Sequence, residues 1–200
     1  MSFTYRTIAG ETQSDFRDRG SKFFGYAFPV ASAEDCKTSI QKLKKEHPKA
    51  SHYCFAWKLG PDGAATRVSD DGEPSGSAGR PIEGQILSRA LTNILVVVVR
   101  YFGGSLLGVP GLINAYKTAA AEALDKAAII EKNIEYSFSI RFDYTVLNEV
   151  MMAVRESACR IVRQDQGLFC DYDLAVPIEN KEKVLVRMKE IRGLEILGIH

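Results

Sequence analysis

The sequence predicts an α+β protein of two domains, divided near residue 132. Three observations carry this. Residues 134–144 alternate strictly, with Ile134, Tyr136, Phe138, Ile140, Phe142 and Tyr144 on one face and Glu135, Ser137, Ser139, Arg141 and Asp143 on the other, which is the pattern of a half-buried strand. The elements after it follow the order β-α-β-β-α-β, the split βαβ or ferredoxin-like pattern. Before it, an aliphatic run at Ile94–Val99 lies between two glycine-rich stretches, each leading into a helix.

In the second domain, residues 133–200, Leu147, Val150, Met151, Val154 and Ala158 have helical spacing, with Thr145 as the expected N-cap. Strands are expected at Cys159–Arg163 and Leu168–Pro177, joined by a turn at Asp165-Gln166-Gly167. Val184, Leu185, Met188 and Ile191 mark a second helix closed by Gly193, and Leu194–Ile199 is a last strand. RNA-recognition sheets of this topology expose aromatics for stacking. Here the aromatics share a face with aliphatics, and the opposite face carries Asp143, Asp171 and Asp173, so a docking module is the better reading.

In the first domain, residues 1–132, strands are expected at Thr4–Ile8, Ser21–Val30, Ser51–Leu59, Ala64–Ser69 and Ile94–Tyr101. Helices are expected at Ala33–Glu46, Pro81–Leu91 and Leu112–Ala127. The last has an Ala-rich stripe that permits close packing on a sheet. Tyr53, Phe55, Trp57 and Leu59 are expected to face the core, leaving His52 and Cys54 on the other side. Counting back from the hairpin signal Pro61-Asp62-Gly63 places His52 near Asp71 and Glu73 if the pairing runs that far.

Composition narrows the function. The chain has 200 residues, 46% of them apolar and 26% charged, with a formal net charge of +1. That is ordinary globular composition, without a global basic signature. The charge is uneven: residues 1–132 hold 17 Lys/Arg against 14 Asp/Glu, and residues 133–200 hold 9 against 11. An anionic partner should prefer the first domain. A six-residue aliphatic run is far below the ~20 residues of a membrane span, and Met1–Arg6 has no apolar signal segment. We therefore expect a cytoplasmic protein that does not enter a membrane. Cys36, Cys54, Cys159 and Cys170 form no C-x-x-C, and His47, His52 and His200 form no zinc motif, so no metal or cofactor is expected. No catalytic-serine elbow or P-loop occurs, and no catalytic residue is assigned.

The chemistry lies in two loops. Asp70-Asp71-Gly72-Glu73-Pro74-Ser75-Gly76-Ser77-Ala78-Gly79-Arg80 precedes a helix opening on Pro81. Gly103-Gly104-Ser105-Leu106-Leu107-Gly108-Val109-Pro110-Gly111 precedes the Ala-rich helix. Each is expected to present backbone N–H groups at a helix N-terminus, where the dipole favours anions. The expected nucleic-acid or phosphate surface comprises Ser75, Gly76, Ser77, Gly79, Arg80, Arg100, Tyr101, Gly103, Gly104 and Lys117. Alternatively the glycines only permit tight turns. Arg80 and Arg100 would flank a phosphate, or else form ion pairs with Asp70, Asp71 or Glu73. His52, Asp71 and Glu73 form a possible secondary polar cluster.

DDGEPSGSAGRP followed by VVVVRYFGGSLLGVPGLINAYK resembles the signature of the YigZ/IMPACT family, and Ser21-Lys22-Phe23 and His52-Tyr53-Cys54-Phe55-Ala56 resemble its smaller upstream motifs. The resemblance implies a left-handed βαβ fold in the first domain, of the type in a ribosomal protein and in domain IV of elongation factor G, and a ferredoxin-like second domain. It also implies a role in translation. The family loop usually reads GGIKLGxGGLVRAY. Leu106, Pro110 and Asn114 stand here in place of Lys, Gly and Arg, which removes two cations. The expectation is a non-enzymatic, translation-associated regulator that binds RNA or the ribosome through the loops. Alternatives are an enzyme acting on a small phosphorylated or anionic substrate, and an adaptor for a protein partner in translation control.

Overall fold

The computed structural model describes residues 3–199. Its contacts form two compact units. One runs Tyr5–Lys132. The other begins at Asn133 and includes Phe3 and Thr4, with the Ile134 N–H donating to Phe3 O at 2.7 Å. Phe3 and Thr4 therefore pack with the second unit, whereas the sequence reading placed them in the first.

The first unit is built on a five-stranded sheet in the order β2-β3-β6-β4-β5, with β2 Thr12–Asp18, β3 Ser21–Pro29, β4 His52–Leu59, β5 Ala65–Ser69 and β6 Ile94–Tyr101. Every neighbouring pair is antiparallel. The helix α1, Ala33–Glu46, connects β3 to β4, which lie on either side of β6. It covers one face, over Phe28, Leu95, Val97 and Val99. The helices α2 (Gly79–Ser88) and α3 (Gly108–Asp125) cover the other, over Phe23, Cys54, Ala56, Val96 and Val98. The valine run is continuous because β6 is central and buried on both faces, so no position along it can be polar at low cost.

The double cover corrects the reading of β4. Tyr53, Phe55 and Trp57 are half-buried beneath α1, while Cys54 and Ala56 on the opposite face are fully buried. Both faces are core, and the one carrying the smaller side chains lies deeper. Two strands were not foreseen: β2, and β7 at Ile129–Asn133, which pairs with β1, Thr4–Ile8. The sequence of β2 is polar because its hydroxyls hold α3. Thr12 and Ser14 donate to the carbonyls of Ala123 and Ala119, each at 2.7 Å. The alanine stripe brings α3 so close that a Cβ on Gly25 would lie 2.4 Å from Ala119 O. Both α2 and α3 start earlier than expected, at Gly79 and Gly108 rather than Pro81 and Leu112.

The second unit has a four-stranded sheet in the order β11-β8-β10-β9, with β8 Glu135–Phe142, β9 Arg160–Gln166, β10 Cys170–Pro177 and β11 Leu194–Ile199. The helices α4, Leu147–Glu156, and α5, Lys181–Glu190, complete the ferredoxin-like element order. Tyr136, Phe138, Phe142 and Tyr172 lie in its core with Val150, Val154, Val184 and Met188. The opposite sheet face carries the ion pairs Arg141–Asp171 and Arg163–Asp173, both at 2.7 Å. The expected Thr145 cap is replaced by Asp143, whose carboxylate accepts from Thr145 N at the head of a short 3-10 turn before α4. Gly193, at φ +86°, follows α5 as expected.

Candidate functional site

The first loop starts where β5 ends. Three residues adopt left-handed backbone in quick succession, Asp71 at φ +42°, Gly72 at +89° and Gly76 at +76°, which folds the loop back over its own first residue. The Asp70 carboxylate then receives three N–H groups: Gly76 at 2.8 Å, Ala78 at 3.0 Å and Gly79 at 2.8 Å. These are the donors expected to hold an external anion. A side chain of the same loop occupies the α2 N-terminus instead. Burial works to raise the Asp70 pKa, but the three N–H groups and nearby Arg80 outweigh it and hold the carboxyl below its usual 3.8. Ser77 is buried, with its hydroxyl donating to Pro74 O at 2.6 Å. Gly76, Ser77 and Gly79 are therefore engaged internally, a correction to the expected phosphate cradle. Ser75 and Arg80 remain exposed.

Glu73 turns inward. Its side chain is 4% exposed and its Oε1 is a hub. Arg100 Nη1 donates to it at 2.5 Å and the Tyr116 hydroxyl at 2.7 Å, and His52 Nε2 lies 3.8 Å away. The Arg100 side chain is 6% exposed. Its guanidinium lies over the rings of Phe23 and Phe102, at 5.4 and 5.5 Å from their centroids. Arg100 thus takes the ion-pair alternative and is not presented to a phosphate. His52 Nδ1 lies 2.8 Å from Asp71 O, and the Asp71 carboxylate accepts from Tyr53 N at 2.7 Å. The expected proximity of His52, Asp71 and Glu73 is present, although the β4–β5 ladder stops at Phe55 and Ser69. Cys54 lies beneath, donating to Asp70 O at 3.0 Å. Burial pushes its thiol far above the usual range, and burial likewise raises the Tyr116 hydroxyl, with Cys54 and Glu73 adding to it. Both stay protonated at any physiological pH. Among the described residues no group of three or more His, Cys, Asp or Glu is placed to hold a metal, and no helix is long and apolar enough to cross a membrane.

The second loop is different. Gly103 packs against the backbone of Gly20 and Ser21, and a Cβ there would fall 1.9 Å from Gly20 C. Its N–H donates to Ser21 Oγ at 3.1 Å. Beyond this anchor the loop is open. Gly103, Gly104, Ser105 and Leu106 are exposed. The helix α3 begins at Gly108 with no side-chain cap and no acidic residue in its first turn. Lys117 is exposed further along α3. Tyr101 points elsewhere, its hydroxyl bonded to His47 Nδ1 at 3.0 Å. The sequence reading missed the roles of Asp70, Tyr116 and Ser21. An Asp at a strand end before a loop rich in Gly and Ser is a readable capping signal, but a Tyr inside an apolar helical stripe is not.

Comparison with known proteins agrees with these loops. The family model of the Impact N-terminal domain matches residues 19–124. The chain is 30% identical to "IMPACT family member YigZ" of Escherichia coli over 183 residues, covering 90% of each chain. It is 34% identical to "IMPACT family member YvyE" of Bacillus subtilis over 157 residues, covering 78% of this chain and 72% of that one. A crystal structure described as that of a hypothetical protein superposes with a TM-score of 0.79 at 27% identity, covering 100% of this chain and 99% of the other. With its signature loops, its Impact N-terminal domain and relatives of the same kind matched over most of their length, this chain belongs to the IMPACT family.

Proposed function

We propose that this protein is a non-enzymatic, translation-associated regulator that contacts RNA or the ribosome through its second glycine-rich loop and the N-terminus of α3. The observation that carries the reading is the uncapped start of α3 beside the exposed Gly103-Gly104-Ser105 segment. Unpaired N–H groups and the helix dipole favour phosphate there. Arg80 and Lys117, both exposed, supply the side-chain charge. The Glu73–Arg100–Tyr116 network links the first loop, β6 and α3, and serves as the scaffold that fixes the loops. The family resemblance points to translation, and the net +3 of residues 1–132 supports a contact made by the first unit.

Co-sedimentation with ribosomes at low and high salt tests this. Association at low salt that weakens as salt rises, and weakens further in Arg80→Ala/Lys117→Ala, is expected from phosphate contacts. Absence of association at low salt contradicts it.

A further inference from the structure

The face under α1 has a feature the loops do not use. Between α1 and the β4–β5 hairpin runs a groove of about 450 Å³. Phe55, Trp57 and Ile40 line it and are only half-buried. Trp57 pairs directly with Arg67 across the ladder, so both side chains stand on this face. β5 is an edge strand, and Ala65, Thr66, Arg67 and Val68 are all exposed. Its outer edge thus presents unpaired backbone donors and acceptors beside an aromatic groove.

The rim charges select the occupant. Lys37 is neutralised by Glu34 at 3.4 Å. Lys44 and Arg67 also line the groove, and neither has a carboxylate partner among the described residues. Lys44 lies over the Tyr53 ring at 5.3 Å.

We propose that this groove docks an extended acidic peptide, which adds as a strand to the free edge of β5, places an apolar side chain over Trp57 and sets carboxylates beside Lys44 and Arg67. Strand addition gives affinity through the backbone, and alternate side chains give specificity. A strand repeats every two residues, so a Glu-x-apolar-x-Glu segment turns all three side chains into the groove. Single-stranded nucleic acid could stack on Trp57 but would leave the β5 edge unpaired, so the open edge favours a peptide.

Trp57 is the only tryptophan in the chain, so its emission reports occupancy. The probe is a capped peptide, acetyl-Thr-Glu-Thr-Phe-Thr-Glu-Thr-amide, titrated into the full chain. Controls are the same peptide with Lys for Glu, and oligothymidylate. A saturable change in emission is expected with the acidic peptide only, weakened at least tenfold in Lys44→Glu/Arg67→Glu. Both positions are exposed, so circular dichroism should be unchanged; Lys44→Gln/Arg67→Gln provides the milder variant. Failure of the acidic peptide to saturate, an equal response to the Lys peptide, or unchanged affinity in both variants overturns the proposal. A response to oligothymidylate alone overturns it in favour of nucleic acid.

Discussion

The two glycine-rich loops of the first unit share composition and position. Each leaves a strand, passes through several glycines and enters a helix. They differ in what meets the helix N-terminus. In the first loop Asp70 fills it with a carboxylate, accepting from Gly76, Ala78 and Gly79. In the second no side chain does, and the glycines serve close approach and left-handed turns instead. A helix N-terminus near an arginine is therefore an anion site only if the chain has not already supplied the anion. One acidic residue placed nine positions before the third donor separates a structural loop from an available one.

The largest effect expected from this contrast is at the buried hub. Glu73→Ala leaves Arg100 as an uncompensated buried charge and removes the acceptor of Tyr116. Breaking such a pair costs about 3–5 kcal/mol. Chemical denaturation should show a loss of that size, well beyond any surface substitution in the same loop.

The second loop should be more sensitive to volume than to conformation. Gly103→Ala drives a methyl into the Gly20 and Ser21 backbone and should cost about 1–3 kcal/mol as overpacking. Gly104→Ala meets nothing within 4 Å but must hold φ +85°, which costs roughly 1–2 kcal/mol. Melting curves of the two variants, with Gly103→Ala the lower, would check this ranking.

Asp70→Ala should convert the first loop towards the second. Loss of a helix cap costs about 0.5–2 kcal/mol, and the freed donors should then accept an external anion. Inorganic phosphate should raise the melting temperature of the variant more than that of the parent. The Asp70 pKa is lowered in the folded state. Its contribution is therefore fully present above the unfolded value near 3.8 and lost as pH falls through the lower folded value. Asp70→Ala should lack that part of the acid sensitivity.

The smallest stability change belongs to Arg80→Ala/Lys117→Ala. Exposed substitutions of this kind stay within about 0.5 kcal/mol, while RNA affinity should fall and its salt dependence flatten. A clear drop in melting temperature would instead place these cations in the scaffold.

Much of the fold was legible because its signals are local. The six-residue aliphatic run marks β6, strict alternation marks β8, and helical spacing together with Gly193 marks α5. The polar strand β2 was not legible, since Thr12 and Ser14 are chosen to bind α3 carbonyls more than 100 residues away. Nor was the double cover of β4, because alternation of aromatic with small residues reads as one buried face. In the candidate site, hairpin counting anticipated the approach of His52 to Glu73, although the pairing stops at Phe55 and Ser69 and the loop itself completes the approach. The burial of Arg100 was not legible, because it depends on Phe23, Tyr116 and Glu73 arriving from β3, α3 and the first loop.

The most direct test of the contrast is an amide NMR titration of the full chain with inorganic phosphate and then with a short RNA. The N–H resonances of Gly104 and Gly108 in the second loop should shift saturably, while those of Gly76 and Gly79, already donating to Asp70, should stay in place. Shifts at Gly76 and Gly79 with the second loop silent would contradict the assignment of the anion surface.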